Sequence, residues 1–178
     1  MVVAPHSGHR VANGISAALA CNLGDYTPSN RGRRVAEAQV GESRLVWLEK
    51  EQFVGFDGTG HPVVVSSQDV ENAVGLKPTD LLLLALASCS AVDLVRILAK
   101  QRQSLTELEI AVRGEQEPEA PWPFTSIHLT YRLQGRALNE EGVRRAVELA
   151  EGKYCSVAAS LRPRVTITHD LELSEAPA

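Results

Sequence analysis

Residues 77–93, KPTDLLLLALASCSAVD, decide the fold of this chain. Pro78 suits the first turn of a helix, where its missing N–H would have no partner, and Asp80 suits the positive end of the helix dipole. Residues 81–87 are apolar on every face of a helix, so the predicted helix 81–100 must be buried all round in its first half. The segment therefore predicts a long buried central helix.

Short apolar runs separated by turn residues precede this helix. They predict strands over residues 35–40, 44–48, 53–56 and 62–66. A turn at Gly41-Glu42 joins the first pair, and the sequence Asp57-Gly58-Thr59-Gly60 joins the last pair. Asp-Gly between apolar runs is a strong hairpin signal. The chain is therefore expected to begin as an antiparallel meander.

Period-two alternation returns after the helix and predicts half-buried strands over residues 108–113, 127–134 and 165–173. His169 lies on the apolar face of the last strand and is expected to be a hydrogen-bonded core residue. Asn139 is a good N-cap for an amphipathic helix, and a shorter helix is expected to begin near Cys155. This order predicts an α+β fold in which helices pack against an antiparallel sheet.

The composition fits one soluble domain with a tail. The chain has 178 residues, of which 44% are apolar and 22% charged, and a net charge of -4. Residues 1–34 carry +3 and the remainder -7, and they lack any periodicity, so we expect a flexible basic tail over 1–34 and a domain over 35–178. The acid excess argues against a nucleic-acid partner. No run approaches the roughly 20 uninterrupted apolar residues of a membrane span, so no membrane partner is expected.

Three cysteines, at positions 21, 89 and 155, are too few and too far apart for a secreted disulfide framework. They favour a reducing compartment and a cytoplasmic location. Cys89 lies in the apolar helix, where a free cysteine often behaves as a small hydrophobe. Cys155 lies at a helix start, where unpaired N–H groups favour the thiolate. The sequence leaves open whether the two are inert or a redox couple, because their separation in space is unknown.

Residues 77–93, together with residues 153–157 (KYCSV), resemble the OsmC/Ohr superfamily, named for osmotically induced and organic hydroperoxide resistance proteins. The resemblance extends over about residues 35–173 and includes the Gly58-Thr59-Gly60-His61 hairpin. It is specific because the two cysteines stand in separate motifs and a proline lies eleven residues before the first. It implies an OsmC-like fold and an intertwined homodimer with its active sites at the subunit interface.

The resemblance also implies a reaction. Cys89 would be the peroxidatic thiolate, attacking the O–O bond of an organic hydroperoxide or hydrogen peroxide and becoming a sulfenic acid. Cys155 would be the resolving thiol, which forms an intramolecular disulfide with Cys89, and an external dithiol would reduce the pair. No metal or organic cofactor is implied. The alternative is a small-molecule binding protein of the same fold without efficient peroxidase activity.

This chain departs from the family pattern around the thiolate. Typical members have a glutamate after the proline, which activates the thiolate together with an arginine from the early strands. Here Thr79 occupies that position, and Asp80 is turned by about 100° around the helix. Arg44 is the candidate arginine, or else a solvated strand charge. Trp122 and Phe124, in a proline-rich loop, either wall an apolar substrate pocket or anchor the loop.

Overall fold

The computed structural model describes residues 40–177. The predicted tail 1–34 with Cys21, and the predicted strand 35–40 except for Val40, lie outside the described residues. The chain divides into two compact units, the first ending at Pro78 and the second beginning at Thr79.

The first unit contains a three-stranded antiparallel sheet in the order β1 (Ser43–Glu49), β2 (Gln52–Asp57) and β3 (Pro62–Ser66). The predicted hairpin between β2 and β3 is confirmed. The Asp57 carboxylate accepts hydrogen bonds from the backbone N–H groups of His61 at 2.8 Å and Thr59 at 2.9 Å. These bonds hold the pKa of Asp57 well below its usual range, because they stabilise the charged carboxylate.

The second unit contains the long helix, three further strands and two shorter helices. Its elements are α1 (Pro78–Lys100), β4 (Ser104–Gln116), β5 (Phe124–Arg136), α2 (Glu140–Leu149), a π-helical turn (Ala150–Tyr154), α3 (Ser156–Leu161) and β6 (Thr166–Glu175). The sheet has the order β4-β5-β6. These elements confirm the α+β fold class.

One prediction about this sheet is wrong in part, because it is not wholly antiparallel. Strands β4 and β5 form an antiparallel hairpin, but β5 and β6 run parallel. A parallel pair needs a crossover connection, and α2, the π-helical turn and α3 supply it. Asn139 caps α2 as predicted, since its side chain accepts a hydrogen bond from the backbone of Gly142 at 2.6 Å.

The hydrophobic core of the second unit brings together α1, α2 and the sheet. Three leucines of α1, alternate residues of β5 and the apolar stripe of α2 form one buried cluster: Leu86, Leu94, Leu98, Ile127, Leu129, Leu133, Val143, Ala146 and Val147. The amphipathic helix predicted after Asn139 is therefore confirmed. This cluster holds α1 and the π-helical turn in fixed positions.

The prediction that the first half of α1 is buried on all sides is wrong for the single chain, since Leu82 is 36% exposed. Leu84 is 48% exposed, Val92 51% and Val95 44%. These residues lie within about 80° of one another around the helix axis, on a side turned away from the core residues Leu86 and Leu94. The sheet of the second unit covers only one face, so an apolar face of α1 is exposed. We call Leu84, Val92 and Val95 the outer face of α1.

The length and hydropathy of α1 also correct the expectation that no segment resembles a membrane span. The 23-residue helix has a mean hydropathy of 2.1 over its most apolar window, and 28% of that window is buried. By length and composition alone, it could cross a membrane. Core helices of soluble proteins meet the same criterion, and Leu86, Leu94 and Leu98 pack into the core here. The absence of a membrane partner stays a prediction.

Candidate functional site

The structure brings Cys89 and Cys155 together, although they lie 66 positions apart in the chain. Cys89 is half-buried on α1, and Cys155 is the N-cap of α3 with 2% exposure. Both are free thiols, and their side chains are in hydrogen-bonding contact. The pair can therefore exchange a proton or form a bond without a large rearrangement.

The surroundings of Cys89 favour its thiolate. Partial burial alone would raise the pKa of Cys89, because it removes water from the charged form. The side chain of Cys155, the backbone N–H of Val157 and both the hydroxyl and the N–H of Ser156 outweigh this effect as hydrogen-bond donors. The net result is a lowered pKa, as expected for a thiolate that receives several hydrogen bonds.

Cys155 has the opposite character. Burial raises its pKa, and the hydrogen bond that it shares with Cys89 raises it further, because Cys155 is the donor. The backbone N–H of Ala158, 3.3 Å from Cys155 Sγ, opposes this shift without reversing it. The surroundings therefore favour the thiolate form of Cys89 on α1 and the protonated form of Cys155 at the start of α3.

A π-helical turn positions Cys155. The backbone N–H of Cys155 donates to the carbonyl of Ala150 at 2.8 Å, which is the five-residue spacing of a π-helix. Cys155 then adopts extended backbone angles, φ -72° and ψ 103°, and its sulfur accepts from the first turn of α3. The π-helical turn follows α2 and contains one residue more than an α-helical turn. It places Cys155 directly before α3, as the N-cap of that helix.

A buried carboxylate lies in the same π-helical turn. Glu151 is only 4% exposed, and it accepts hydrogen bonds from Tyr131 Oη at 2.8 Å and His169 Nδ1 at 3.0 Å. Arg162 Nη2 lies 3.8 Å from the same carboxylate. Burial raises the pKa of Tyr131, and the neighbouring Glu151 adds to the increase, so the phenol stays protonated. His169 is hydrogen-bonded, as predicted, but the sequence did not predict Glu151.

Ser90 connects this carboxylate cluster with the cysteines. Its side chain is completely buried on α1, one residue after Cys89. Ser90 Oγ lies close enough to Tyr131 and Cys155 to lower the pKa of each. Neither contact has hydrogen-bond geometry, and Ser90 Oγ has no hydrogen-bond partner within residues 40–177. A buried hydroxyl therefore lies near both the Cys155 thiol and the Tyr131 phenol.

The other residues predicted for the site are less closely tied to the cysteines. Thr79 and Asp80 lie in the first turn of α1, and neither is among the main groups that shift the pKa of Cys89. The Thr79 hydroxyl is buried and unbonded among the described residues. Arg44 lies in the first unit, where its guanidinium carbon is 4.3 Å from the centre of the Phe56 ring. The activating roles of these three residues stay predictions.

Trp122 and Phe124, which were predicted to line an apolar substrate pocket, lie in different environments. Trp122 is exposed, whereas Phe124 begins β5 and packs against the core. An open apolar cavity of about 510 Å³ follows the outer face of α1, between Leu84 and Ala91 of the helix and Ile110 of β4. The cavity lining does not include Trp122 or Phe124. Their role in a substrate pocket stays a prediction.

Within residues 40–177, no three side chains of His, Cys, Asp or Glu are arranged to bind a metal ion. The side chains at the site are those of thiol chemistry: two sulfurs, hydroxyl donors and one buried carboxylate. That the site works without a metal or organic cofactor stays a prediction.

The lowered pKa of Cys89 predicts its reaction with an alkylating agent. The pH midpoint for alkylation of Cys89 should lie below the value of about 8.5 for an ordinary thiol, because the thiolate is the nucleophile. Replacing Cys155 by alanine removes the largest lowering contribution and should raise the midpoint. Replacement by serine keeps a donor and should raise it less. Peptide mass spectrometry after timed alkylation measures these midpoints, and an unchanged midpoint in Cys155→Ala would contradict the assignment.

The fold and the site together define an α+β protein that holds a thiol of lowered pKa beside a second thiol of raised pKa. The chain belongs to the OsmC-like protein family, whose sequence profile matches residues 70–170. Protein YhfA of Escherichia coli strain K12 is 38% identical over 132 residues, covering 74% of this chain and 97% of that protein. The resemblance stated from the two cysteine motifs is thus confirmed.

Solved structures agree with this assignment. A hypothetical protein from Aquifex aeolicus matches with a TM-score of 0.66 and 27% identity, covering 77% of this chain and 99% of that chain. An organic hydroperoxide resistance protein from Legionella pneumophila matches with a TM-score of 0.58 and 13% identity, again over 77% of this chain and 99% of that chain. At 13% identity the second match shows the shared fold alone.

Proposed function

We propose that this protein is a thiol-dependent peroxidase that reduces organic hydroperoxides or hydrogen peroxide in defence against oxidative stress. The observation that carries the proposal is the contact between Cys89, whose pKa is lowered, and Cys155, whose pKa is raised by burial. Organic hydroperoxide resistance proteins share the fold, which supports the same chemistry here. The proposed cycle needs a reducing compartment, such as the cytoplasm.

The cycle consumes one hydroperoxide and one external dithiol. The Cys89 thiolate attacks the O–O bond, takes one oxygen as a sulfenic acid and releases an alcohol, or water when the substrate is hydrogen peroxide. Cys155 then attacks the oxidised sulfur, so that an S–S bond forms, the S–O bond breaks and water leaves. A dithiol reduces the disulfide and leaves as its own disulfide. No metal or organic cofactor takes part, because sulfur carries the electrons.

The direct test is a single-turnover oxidation. The reduced protein receives one equivalent of cumene hydroperoxide, and free thiols are then alkylated and mapped by peptide mass spectrometry. We expect a disulfide between Cys89 and Cys155, with a mass loss of one pair of hydrogen atoms. A parallel reaction without hydroperoxide controls for air oxidation. If both thiols remain open to alkylation, the proposal is wrong.

A binding protein for an apolar small molecule is the second candidate. The observation that favours it is the open apolar cavity of about 510 Å³ along α1. In that case the cysteines would be structural or only occasionally oxidised. The Cys89→Ser and Cys155→Ser proteins separate the candidates, because a binding protein would keep its affinity for a hydrophobic fluorescent probe in both variants. A peroxidase would lose turnover in both.

We further propose that two copies of the chain form a homodimer that buries the outer face of α1. Three large aliphatic side chains exposed on one helix face are unusual for a monomer, and a second copy would cover them. Val92→Glu would place a charge in this interface and should shift sedimentation from dimer to monomer. Val70→Glu, at a fully exposed position of the first unit, is the matched control. A monomeric wild-type protein would contradict the proposal.

A further inference from the structure

The buried hydroxyl of Ser90 has no structural role that explains it. Its Oγ is inaccessible to solvent and forms no hydrogen bond within residues 40–177. A buried hydroxyl without a partner lowers the stability of the folded state, because it has given up its hydrogen bonds to water. Such a group in a native core calls for an explanation, and its two polar neighbours, Tyr131 and Cys155, suggest one.

The polar groups around Ser90 can form a chain in which each group donates a hydrogen bond to the next. Tyr131 Oη donates to Glu151 Oε1 at 2.8 Å, so the phenol oxygen still has lone pairs that can accept a proton from a neighbour. Ser90 can rotate its hydroxyl towards Tyr131 while accepting from the Cys155 thiol. A serine hydroxyl has one proton and two lone pairs, which suffice for both roles. The groups then form a series from Cys155 through Ser90 and Tyr131 to Glu151.

We propose that Ser90, Tyr131 and Glu151 form a buried proton relay that removes the proton of Cys155 when Cys155 attacks oxidised Cys89. This assignment rests on the proposed peroxidase function and adds to it the base for the resolving step. Ser90 and Tyr131 pass the proton, and the Glu151 carboxylate receives it.

The resolving step needs such a base because the thiolate is the attacking form of a cysteine. Burial raises the pKa of Cys155, which favours its protonated form near neutral pH. Solvent cannot supply a base directly, because Cys155 is only 2% exposed. A general base that acts in the transition state contributes typically 10²- to 10⁴-fold to a rate.

The atoms and protons of the resolving step are all accounted for when the relay takes the proton of Cys155. The S–S bond forms as the S–O bond of the sulfenic acid breaks, and the proton of the Cys155 thiol moves through Ser90 and Tyr131 to Glu151. The leaving hydroxide takes a proton from solvent, and Glu151 later returns one proton to solvent. The net change converts one thiol and one sulfenic acid into one disulfide and one water.

The groups around Glu151 suit a carboxylate that accepts a proton and later releases it to solvent. Tyr131 of β5 and His169 of β6 contact its two oxygens, and Arg162 approaches from the segment after α3. The side chains of His169 and Arg162 are 27% and 39% exposed, whereas Glu151 is 4% exposed. These two side chains therefore connect the buried carboxylate with water.

The sharpest test is Ser90→Ala, which removes one oxygen that makes no hydrogen bond. After one equivalent of cumene hydroperoxide, rapid quenching with a sulfenic-acid trap measures oxidation of Cys89, and mass spectrometry measures disulfide formation. We expect wild-type oxidation of Cys89 but disulfide formation slowed at least about tenfold at pH 7. The slowed step should recover as the pH rises, because a larger fraction of Cys155 is then already ionised and needs no relay. Tyr131→Phe and Glu151→Gln should behave alike.

Ser104→Ala, at an exposed position of β4, is the matched control and should keep the wild-type rates. Thermal unfolding of each variant checks that the fold is intact, and a purely structural role would not alter the pH profile of one step. The relay is overturned if Ser90→Ala and Tyr131→Phe form the disulfide at the wild-type rate with the wild-type pH profile. A wild-type protein that forms no disulfide overturns the proposed function, and the relay with it.

Discussion

Replacing Cys89 by serine is expected to abolish hydroperoxide reduction, with a loss on the order of a thousandfold or more in turnover. The hydroxyl that replaces the thiol does not ionise near neutral pH, so neither the hydrogen bonds from Cys155 nor those from Ser156 can activate it. Serine is also nearly isosteric with cysteine, and position 89 is half-buried, so the fold should persist. Consumption of cumene hydroperoxide in the presence of dithiothreitol measures the loss.

Cys155→Ser is the informative partner of this variant. It keeps the nucleophile at position 89 and removes the resolving sulfur, so one oxidation should occur and stop at the sulfenic acid. A sulfenic-acid trap should therefore label Cys155→Ser but not Cys89→Ser. Labelling of Cys89→Ser at position 155 instead would mean that the two cysteines have exchanged roles. Wild-type turnover in Cys89→Ser would exclude this thiol as the site of reaction.

Replacing Glu151 by alanine should have the largest effect on stability, with the free energy of unfolding falling by about 1 to 3 kcal/mol, because the buried Tyr131 hydroxyl is left without its acceptor. Glu151 is buried, and its removal leaves Tyr131 Oη, His169 and the Arg162 guanidinium without the carboxylate that they share. Tyr131 loses its acceptor inside the core, whereas the side chains of His169 and Arg162 are partly exposed and keep access to water. Urea unfolding followed by circular dichroism measures the change.

Glu148→Ala is the control, because Glu148 is exposed on α2 only three positions earlier. Exposed substitutions of this kind usually change stability by no more than about 0.5 kcal/mol. Equal unfolding midpoints for the Glu148→Ala and Glu151→Ala proteins would show that the buried network contributes little, and that the core of Leu and Val side chains alone holds the π-helical turn.

Most elements of the fold could be predicted from local patterns. The Asp57-Gly58 turn, the Pro78 helix start, the Asn139 cap and the alternation in β6 each depend on a few neighbouring residues, and all are present. Such signals act through backbone geometry and side-chain periodicity, which a sequence displays directly. The family assignment came from the two cysteine motifs.

The arrangement of the elements was harder to predict. The parallel pairing of β5 with β6 depends on how the intervening helices return the chain, and not on the composition of either strand. The burial of α1 was overestimated because hydropathy indicates which side chains avoid water. It does not indicate how much of the helix surface the rest of a single chain can cover. The exposed Leu84, Val92 and Val95 show that difference.

The cysteine pair was predicted only through the resemblance, and the groups around it were not predicted. Nothing in the segment 150–154, AEGKY, marks a π-helical turn, so Glu151 looked like an ordinary charge of an amphipathic helix. Its burial depends on Tyr131 and His169, which come from two different strands. Functional groups assembled from four elements leave no local pattern that a sequence reading could detect.

The contact between Cys89 of α1 and Cys155 at the start of α3 has a thermal consequence. A disulfide there would close a covalent loop of about 66 residues, and the loss of chain entropy in the unfolded state would stabilise the oxidised protein by roughly 4 kcal/mol. Oxidised molecules would then melt at a higher temperature than reduced ones. The melting curve of a purified sample would thus record its redox history.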